Sequence, residues 1–104
     1  MTLEQFRTTL AEQTPPHDFS PGLRAMWEDA KGNWDAAHAI AQSIEDKAGS
    51  WIHAYLHRKE GDLRNAGYWY RRAGQAVATD PLEEEWTRIV SVLLRAGTPV
   101  FDDK

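Results

Sequence analysis

Hydrophobic residues recur at intervals of three and four positions along most of the chain, which is the period of an amphipathic α-helix. Near the N-terminus, Leu3, Phe6 and Leu10 follow this spacing. A longer stripe near the C-terminus consists of Trp86, Ile89, Val90, Leu93 and Leu94. No segment of useful length alternates with the period of two that is typical of a strand. The pattern therefore predicts an all-α protein.

Capping residues and helix breakers divide this pattern into six predicted helices. Thr2 and Gln5 form a capping box before the first helix. The pair Ser20-Pro21 begins the second, with a hydroxyl cap followed by proline at the first helical position. The pair Asp80-Pro81 begins the sixth in the same way, and Gly97-Thr98-Pro99 is expected to end it.

The interior boundaries are predicted from glycine and from polar residues. The dipeptides Gly32-Asn33 and Gly61-Asp62 are typical of tight turns between helices. We expect Gly49 to end the third helix and Ser50 to cap the fourth. The fifth helix is predicted to continue as far as Val77.

The two central helix pairs form an internal repeat with an offset of 29 residues, which aligns Gly61 on Gly32. Small residues coincide in the two copies, at Ala25 and Ala54 and at Ala37 and Ala66. Small side chains allow two helices to approach closely where they cross. We therefore expect one domain over residues 1–104, with hairpins at approximately 21–48 and 50–79. Capping helices are expected at approximately 3–13 and 81–95.

The segment from Gly61 to Ala73 resembles the second half of a tetratricopeptide or Sel1-like repeat. Its Gly-Asp turn, Ala66, Tyr70 and Ala73 occupy the family's turn, small, aromatic and second small positions. The segment 32–37 is a weaker copy, and the resemblance covers approximately residues 22–81. It implies stacked αα-hairpins of the TPR-like kind.

The chain departs from that family at His53 and His57, where the family places a leucine and a tyrosine in the core. The segment from His53 to Arg72 is also similar to a small group of uncharacterised bacterial proteins. That second resemblance implies a fold and no particular activity.

Composition narrows the classes of function. The 104 residues include 16 acidic and 12 basic side chains, five tryptophans and no cysteine, with a net charge of −4. The absence of cysteine excludes disulfides, a thiolate nucleophile and cysteine-ligated zinc. The acidic balance argues against nucleic-acid binding. Because we find neither a signal-peptide pattern nor a long apolar run, we expect a cytoplasmic protein with no membrane association.

Histidine is the residue type that could support chemistry here. His53 and His57 are four residues apart on a predicted helix and therefore share a face. Glu60 joins that face, and His38 reaches it if the hairpins stack. This set of four could bind a divalent metal ion, with Glu28 as an alternative carboxylate, in a metal-binding protein or metal-dependent enzyme. Two other interpretations remain: the histidines line a pocket for a polar ligand, or they form hydrogen bonds between helices.

The sequence favours a small non-catalytic binding or scaffold module. It contains no nucleophile elbow, phosphate loop or dinucleotide fingerprint. Polar residues outside the aromatic stripe are the candidates for binding, namely His53, His57, Arg58, Tyr68 and Arg72. Tyr and Arg are enriched in binding hot spots. The expected partner is a protein or a small polar ligand, without a cofactor. A homodimer is a third possibility, since the hairpin faces are only partly covered.

Overall fold

In the computed structural model, which describes residues 1–96, the chain forms six α-helices and no strand. The helices are α1 (Leu3–Thr9), α2 (Pro21–Ala30), α3 (Trp34–Ser43), α4 (Lys47–Glu60), α5 (Leu63–Ala73) and α6 (Leu82–Ala96). The prediction of an all-α fold is confirmed. None of these six helices is long and apolar enough to span a lipid bilayer.

The first two helices begin where the capping residues predict. The Gln5 amide donates to Thr2 Oγ1 at 3.1 Å, and the Thr2 amide donates to Gln5 Oε1 at 2.9 Å. At the start of α2, the Leu23 amide donates to the Ser20 hydroxyl at 3.3 Å. These bonds satisfy backbone donors that have no partner in the first turn of a helix.

The middle of the molecule consists of two helical hairpins. Helix α2 packs against α3, α4 packs against α5, and the contact of α3 with α4 brings the two hairpins together. Gly32 and Gly61 have φ values of 87° and 93°, so each turn uses a left-handed conformation that favours glycine. The predicted small residues at the crossings are all buried, namely Ala25, Ala37, Ala54 and Ala66.

The predicted boundary between the third and fourth helices is wrong. Helix α3 ends at Ser43, and Asp46 rather than Ser50 caps α4 by accepting the Gly49 amide at 2.9 Å. Gly49 therefore lies inside α4. A Cβ atom on Gly49 would lie 2.6 Å from the Cβ of Ile44, so glycine permits a close approach here instead of ending a helix.

Two other helix ends also differ from the predictions. Helix α1 ends at Thr9, four residues before the expected position 13. Helix α5 ends at Ala73 because Gly74 adopts φ 71°, so Val77 lies outside the helix and is 59% exposed. The predicted end of α6 at 97–99 lies outside the described residues.

The five tryptophans are distributed one to each of α2 to α6, as the sequence indicates. Trp27, Trp51 and Trp86 belong to the buried core. Trp34 and Trp69 are only partly buried, and each packs against the edge of that core. These two tryptophans lie beside the histidines.

Candidate functional site

Three histidines from two helices meet at the junction of the hairpins. His38 lies on α3, and His53 and His57 lie one turn apart on α4. One ring nitrogen of each lies within 4.8 Å of a ring nitrogen of the other two. The Nε2 atoms of His38 and His53 are 2.9 Å apart, so one of them donates a hydrogen bond to the other. We call these three residues the histidine cluster.

Aromatic rings hold the histidine cluster on two sides. Trp34 stacks on His38 with the ring centroids 4.8 Å apart and the planes at 9°. Trp69 stacks on His53 with the ring centroids 3.9 Å apart and the planes at 13°, and the rings of His53 and His57 stack at 4.8 Å. The indole nitrogen of Trp34 also donates to the Leu56 carbonyl at 2.9 Å. The orientations of the imidazoles are therefore set by packing.

His57 forms a hydrogen bond through each ring nitrogen. Its Nδ1 lies 2.6 Å from Glu60 Oε1 and donates to that carboxylate. Its Nε2 accepts from the Asn65 side-chain amide at 3.3 Å. A carboxylate on one imidazole nitrogen fixes the tautomer and makes the other nitrogen more basic.

Burial and the neighbouring imidazoles favour the neutral forms of His38 and His53. Burial, followed by the positive charges that His38 and His57 would carry, lowers the pKa of His53 to about 4. Burial also lowers the pKa of His38, and His57 adds to this effect, although Glu60 and Asp35 oppose it. A neutral imidazole is the form that binds a metal ion.

Glu60 and Asp62 also form a group with His57 in which one ligand atom of each lies within 4.8 Å of the others. Both carboxylates are exposed to solvent. Glu28, the alternative carboxylate from the sequence, accepts instead from the Asn33 side chain at 2.8 Å, in the turn between α2 and α3. The structure therefore brings Glu60 to the cluster and engages Glu28 elsewhere.

Arg58, another candidate from the sequence, belongs to a different network. Its guanidinium pairs with Glu85 Oε1 at 2.8 Å and also donates to the Asp80 carbonyl. Glu85 is fully buried, and its Oε2 accepts from Trp51 Nε1 at 3.1 Å and from the Tyr70 hydroxyl at 2.6 Å. This network connects α4, α5 and α6 around a satisfied buried charge.

Tyr68 and Arg72, the remaining candidates, form a pair on the surface of α5. The Arg72 guanidinium donates to the Tyr68 hydroxyl at 3.1 Å and lies 5.2 Å from the ring centroid of Trp69. Tyr68 is 45% exposed. The five binding candidates therefore occupy three places: the cluster, the Glu85 network and this surface pair.

Several residues that contact the candidates at these three places have no clear functional signal in the sequence. Trp34 lies four residues before His38, and this spacing could have indicated that the two rings share a face. Asn65 follows the turn residue Asp62 by three positions, which by itself indicates only a helix start. Glu85 belongs to a run of three glutamates that is typical of a solvated helix surface.

Comparison of the chain with protein-family models, curated proteins and solved structures finds no significant match. What the histidine cluster can do therefore follows from its own geometry. It offers three imidazoles at close range, a carboxylate behind one of them, and stacked indoles that fix two of the rings.

Proposed function

We propose that this protein binds a divalent transition-metal ion through His38, His53 and His57. The observation that carries this proposal is the convergence of one nitrogen from each ring within 4.8 Å. In a tetrahedral zinc site with Zn–N distances of about 2.0–2.1 Å, two nitrogen ligands are roughly 3.3 Å apart. The His38–His53 separation of 2.9 Å needs only a small expansion to reach that value.

The donor type indicates which ions the site prefers. Imidazole nitrogens suit zinc, copper, nickel and cobalt, whereas magnesium and calcium prefer oxygen ligands. The neutral state of His38 and His53 lowers the cost of binding, because few protons have to be displaced from nitrogens at neutral pH. We therefore expect selectivity for zinc-like ions over hard cations.

Glu60 has a positioning role in this proposal. Its carboxylate accepts a hydrogen bond from His57 Nδ1, with Nδ1 and Oε1 2.6 Å apart, so Nε2 is the nitrogen of His57 that binds the metal ion. The Asn65 amide now bonds to that Nε2 and would have to release it when the ion binds. Removal of such an outer carboxylate typically weakens metal affinity by about 10–100-fold.

The direct test uses protein that carries no polyhistidine tag. We expect elemental analysis after zinc loading and desalting to find one ion per chain, and calorimetry to give a single site. His38→Ala and His53→Gln should lose this site. His17→Ala is the matched control, because His17 is exposed in the loop before α2 and belongs to no cluster within residues 1–96.

Two results would count against metal binding. One is a wild-type protein that retains no zinc, cobalt or nickel. The other is equal loss of the ion in His17→Ala and in the cluster variants, which would indicate adventitious binding. Circular dichroism of each variant separates loss of the site from loss of the fold.

We also propose a non-catalytic binding role for the surface pair Tyr68 and Arg72. It is supported by the exposure of Tyr68 and by the hydrogen bond that holds Arg72 beside it. The partner would be a protein or a second copy of the chain. Sedimentation analysis tests the homodimer: Tyr68→Ala should shift a dimer toward monomer, and a monomeric wild type at high concentration would exclude self-association.

The tetratricopeptide-like relationship of the hairpins and a cytoplasmic location in a bacterium are proposals as well. The first is supported by the left-handed glycines at Gly32 and Gly61, which occupy equivalent turns. Cell fractionation tests the second, since a cytoplasmic protein should be recovered with the soluble cell contents.

A further inference from the structure

A cleft of about 550 Å³ lies between α1, α2, α4 and α6. No residue of the histidine cluster lines it. Its apolar side includes Leu10, Leu82 and Trp86, and two of its charged groups are Arg7 and Lys59. Sites for small molecules typically have volumes of about 300–1,000 Å³ and combine an apolar lining with a few fixed polar groups. The cleft has both properties.

The buried carboxylate of Asp29 fixes the position of the Lys59 ammonium group in this cleft. Lys59 Nζ donates to Asp29 Oδ1 at 2.9 Å, and the Tyr55 hydroxyl donates to Oδ2 of the same residue at 3.1 Å. Asp29 is almost fully buried. Burial, followed by the charge of Asp29, raises the pKa of Tyr55, so that the phenol remains a neutral donor.

Within residues 1–96, the side chains of Lys59 and Arg7 each have hydrogen-bond donors without a partner, which are available to a ligand. Lys59 uses one of its three N–H groups on Asp29. Arg7 uses one of its five N–H groups to donate to Thr87 Oγ1 at 3.2 Å. The Arg7 guanidinium also lies 5.8 Å from the centroid of Trp86, so a cationic group stands next to an apolar ring.

We propose that this cleft binds a small carboxylate that carries an apolar or aromatic group. The carboxylate lies at Arg7 and Lys59, and the apolar group packs against Trp86. Guanidinium and ammonium donors form charge-assisted hydrogen bonds with carboxylates, and these are stronger than neutral ones. Asp29 is a positioning residue, because it holds Lys59 and does not itself receive the ligand.

Glu83 lines the same cleft, and its carboxylate provides a way to tell which of two kinds of carboxylate ligand binds there. A simple acid such as 3-phenylpropanoate forms hydrogen bonds with Arg7 and Lys59 and has no group that binds Glu83. An apolar α-amino acid such as phenylalanine adds an ammonium group that Glu83 could accept. The two compounds share the carboxylate and the ring, so comparison of their affinities separates the two cases.

The experiment is a titration of isotope-labelled protein with 3-phenylpropanoate, phenylalanine and the uncharged 3-phenylpropanamide, followed by NMR. The reporter is the indole N–H of Trp86, because this residue lines the cleft and its N–H is held by a hydrogen bond to the Met26 carbonyl. We expect saturable shifts of that signal with the carboxylates, and an affinity lower by about tenfold in Arg7→Gln and Lys59→Met. Arg64→Gln removes one exposed charge from α5 and is the matched control.

Each outcome supports or overturns the proposal. Tighter binding of phenylalanine than of phenylpropanoate supports it and assigns the amino acid, whereas the reverse order supports it and assigns the simple acid. Equal binding of the amide overturns the role of Arg7 and Lys59. The proposal is also overturned if no compound saturates the Trp86 signal, or if Arg64→Gln weakens binding as much as the cleft variants do.

Discussion

The Nε2 atoms of His38 and His53 lie 2.9 Å apart, although the two residues belong to different helical hairpins. This contact joins α3 to α4 through two imidazoles that burial keeps neutral. Because His57 adds a third ring nitrogen within 4.8 Å, the junction of the hairpins also contains the three imidazoles of the proposed metal site.

The stability of the metal-free protein should fall as the pH is lowered, in part because of His53. Its pKa is about 4 in the folded protein against 6.5 in a model peptide. Between these values the unfolded chain takes up a proton on His53 and the folded chain does not, so the free energy of unfolding decreases as the pH falls from 6.5 toward 4. A shift of this size corresponds to at most about 3 kcal/mol.

Urea denaturation with EDTA at about pH 7 and about pH 4.5 measures this effect. His53→Phe retains a ring that can stack on Trp69 but cannot titrate, so it should lose less stability than the wild type over the same interval. Titrating groups away from the cluster contribute to both proteins and cancel in the comparison, whereas His38 loses its hydrogen bond to His53 in the variant. Equal losses in the two proteins would contradict the assignment.

Zinc should stabilise the folded protein through mass action. At a free zinc concentration of about one hundred times Kd, the free energy of unfolding should rise by about 2.7 kcal/mol. Thermal denaturation with zinc and with EDTA measures the difference. His17→Ala should show the full increase, and His38→Ala should show none. An increase that persists in His38→Ala would place the ion elsewhere.

Arg58→Met should destabilise the protein strongly, because it leaves the buried Glu85 carboxylate without its cation. Breaking a buried ion pair in this way typically costs about 3–5 kcal/mol. Chemical denaturation compares it with Arg64→Met, which removes an exposed arginine and should change stability by less than about 0.5 kcal/mol. If the two variants were equally stable, Arg58 would not have the structural role that its contacts indicate.

Two glycine-to-alanine substitutions within helices should have opposite effects. In Gly49→Ala the new Cβ would lie 2.6 Å from the Ile44 Cβ, so overpacking should cost about 1–3 kcal/mol. In Gly67→Ala the nearest atom is an Arg71 side-chain nitrogen at 3.9 Å, so the better helix propensity of alanine should add about 0.5–1 kcal/mol. Thermal denaturation of the two variants and the wild type shows whether each substitution lowers or raises the stability. A stabilising Gly49→Ala would show that the junction of α3 and α4 tolerates a wider separation.

Much of the fold could be predicted from local sequence signals. Thr2, Ser20 and the glycines of the two hairpin turns act on backbone groups a few residues away, so their effect does not depend on distant parts of the chain. The same local rules misplaced the end of α3, because Gly49 is required by a contact with Ile44 and not by its own backbone conformation. A close approach of that kind has no local sequence signature.

The sequence by itself determined the six-helix pattern, the turns between paired helices and the shared face of His53 and His57, because these depend on helical periodicity and capping. Tertiary structure alone decided that His38 reaches that face, that Arg58 is engaged by Glu85, and that Arg7 and Lys59 border one cleft. These relationships join residues on different helices. Their distances depend on how the helices cross, and the crossing is set by the packing of the whole core.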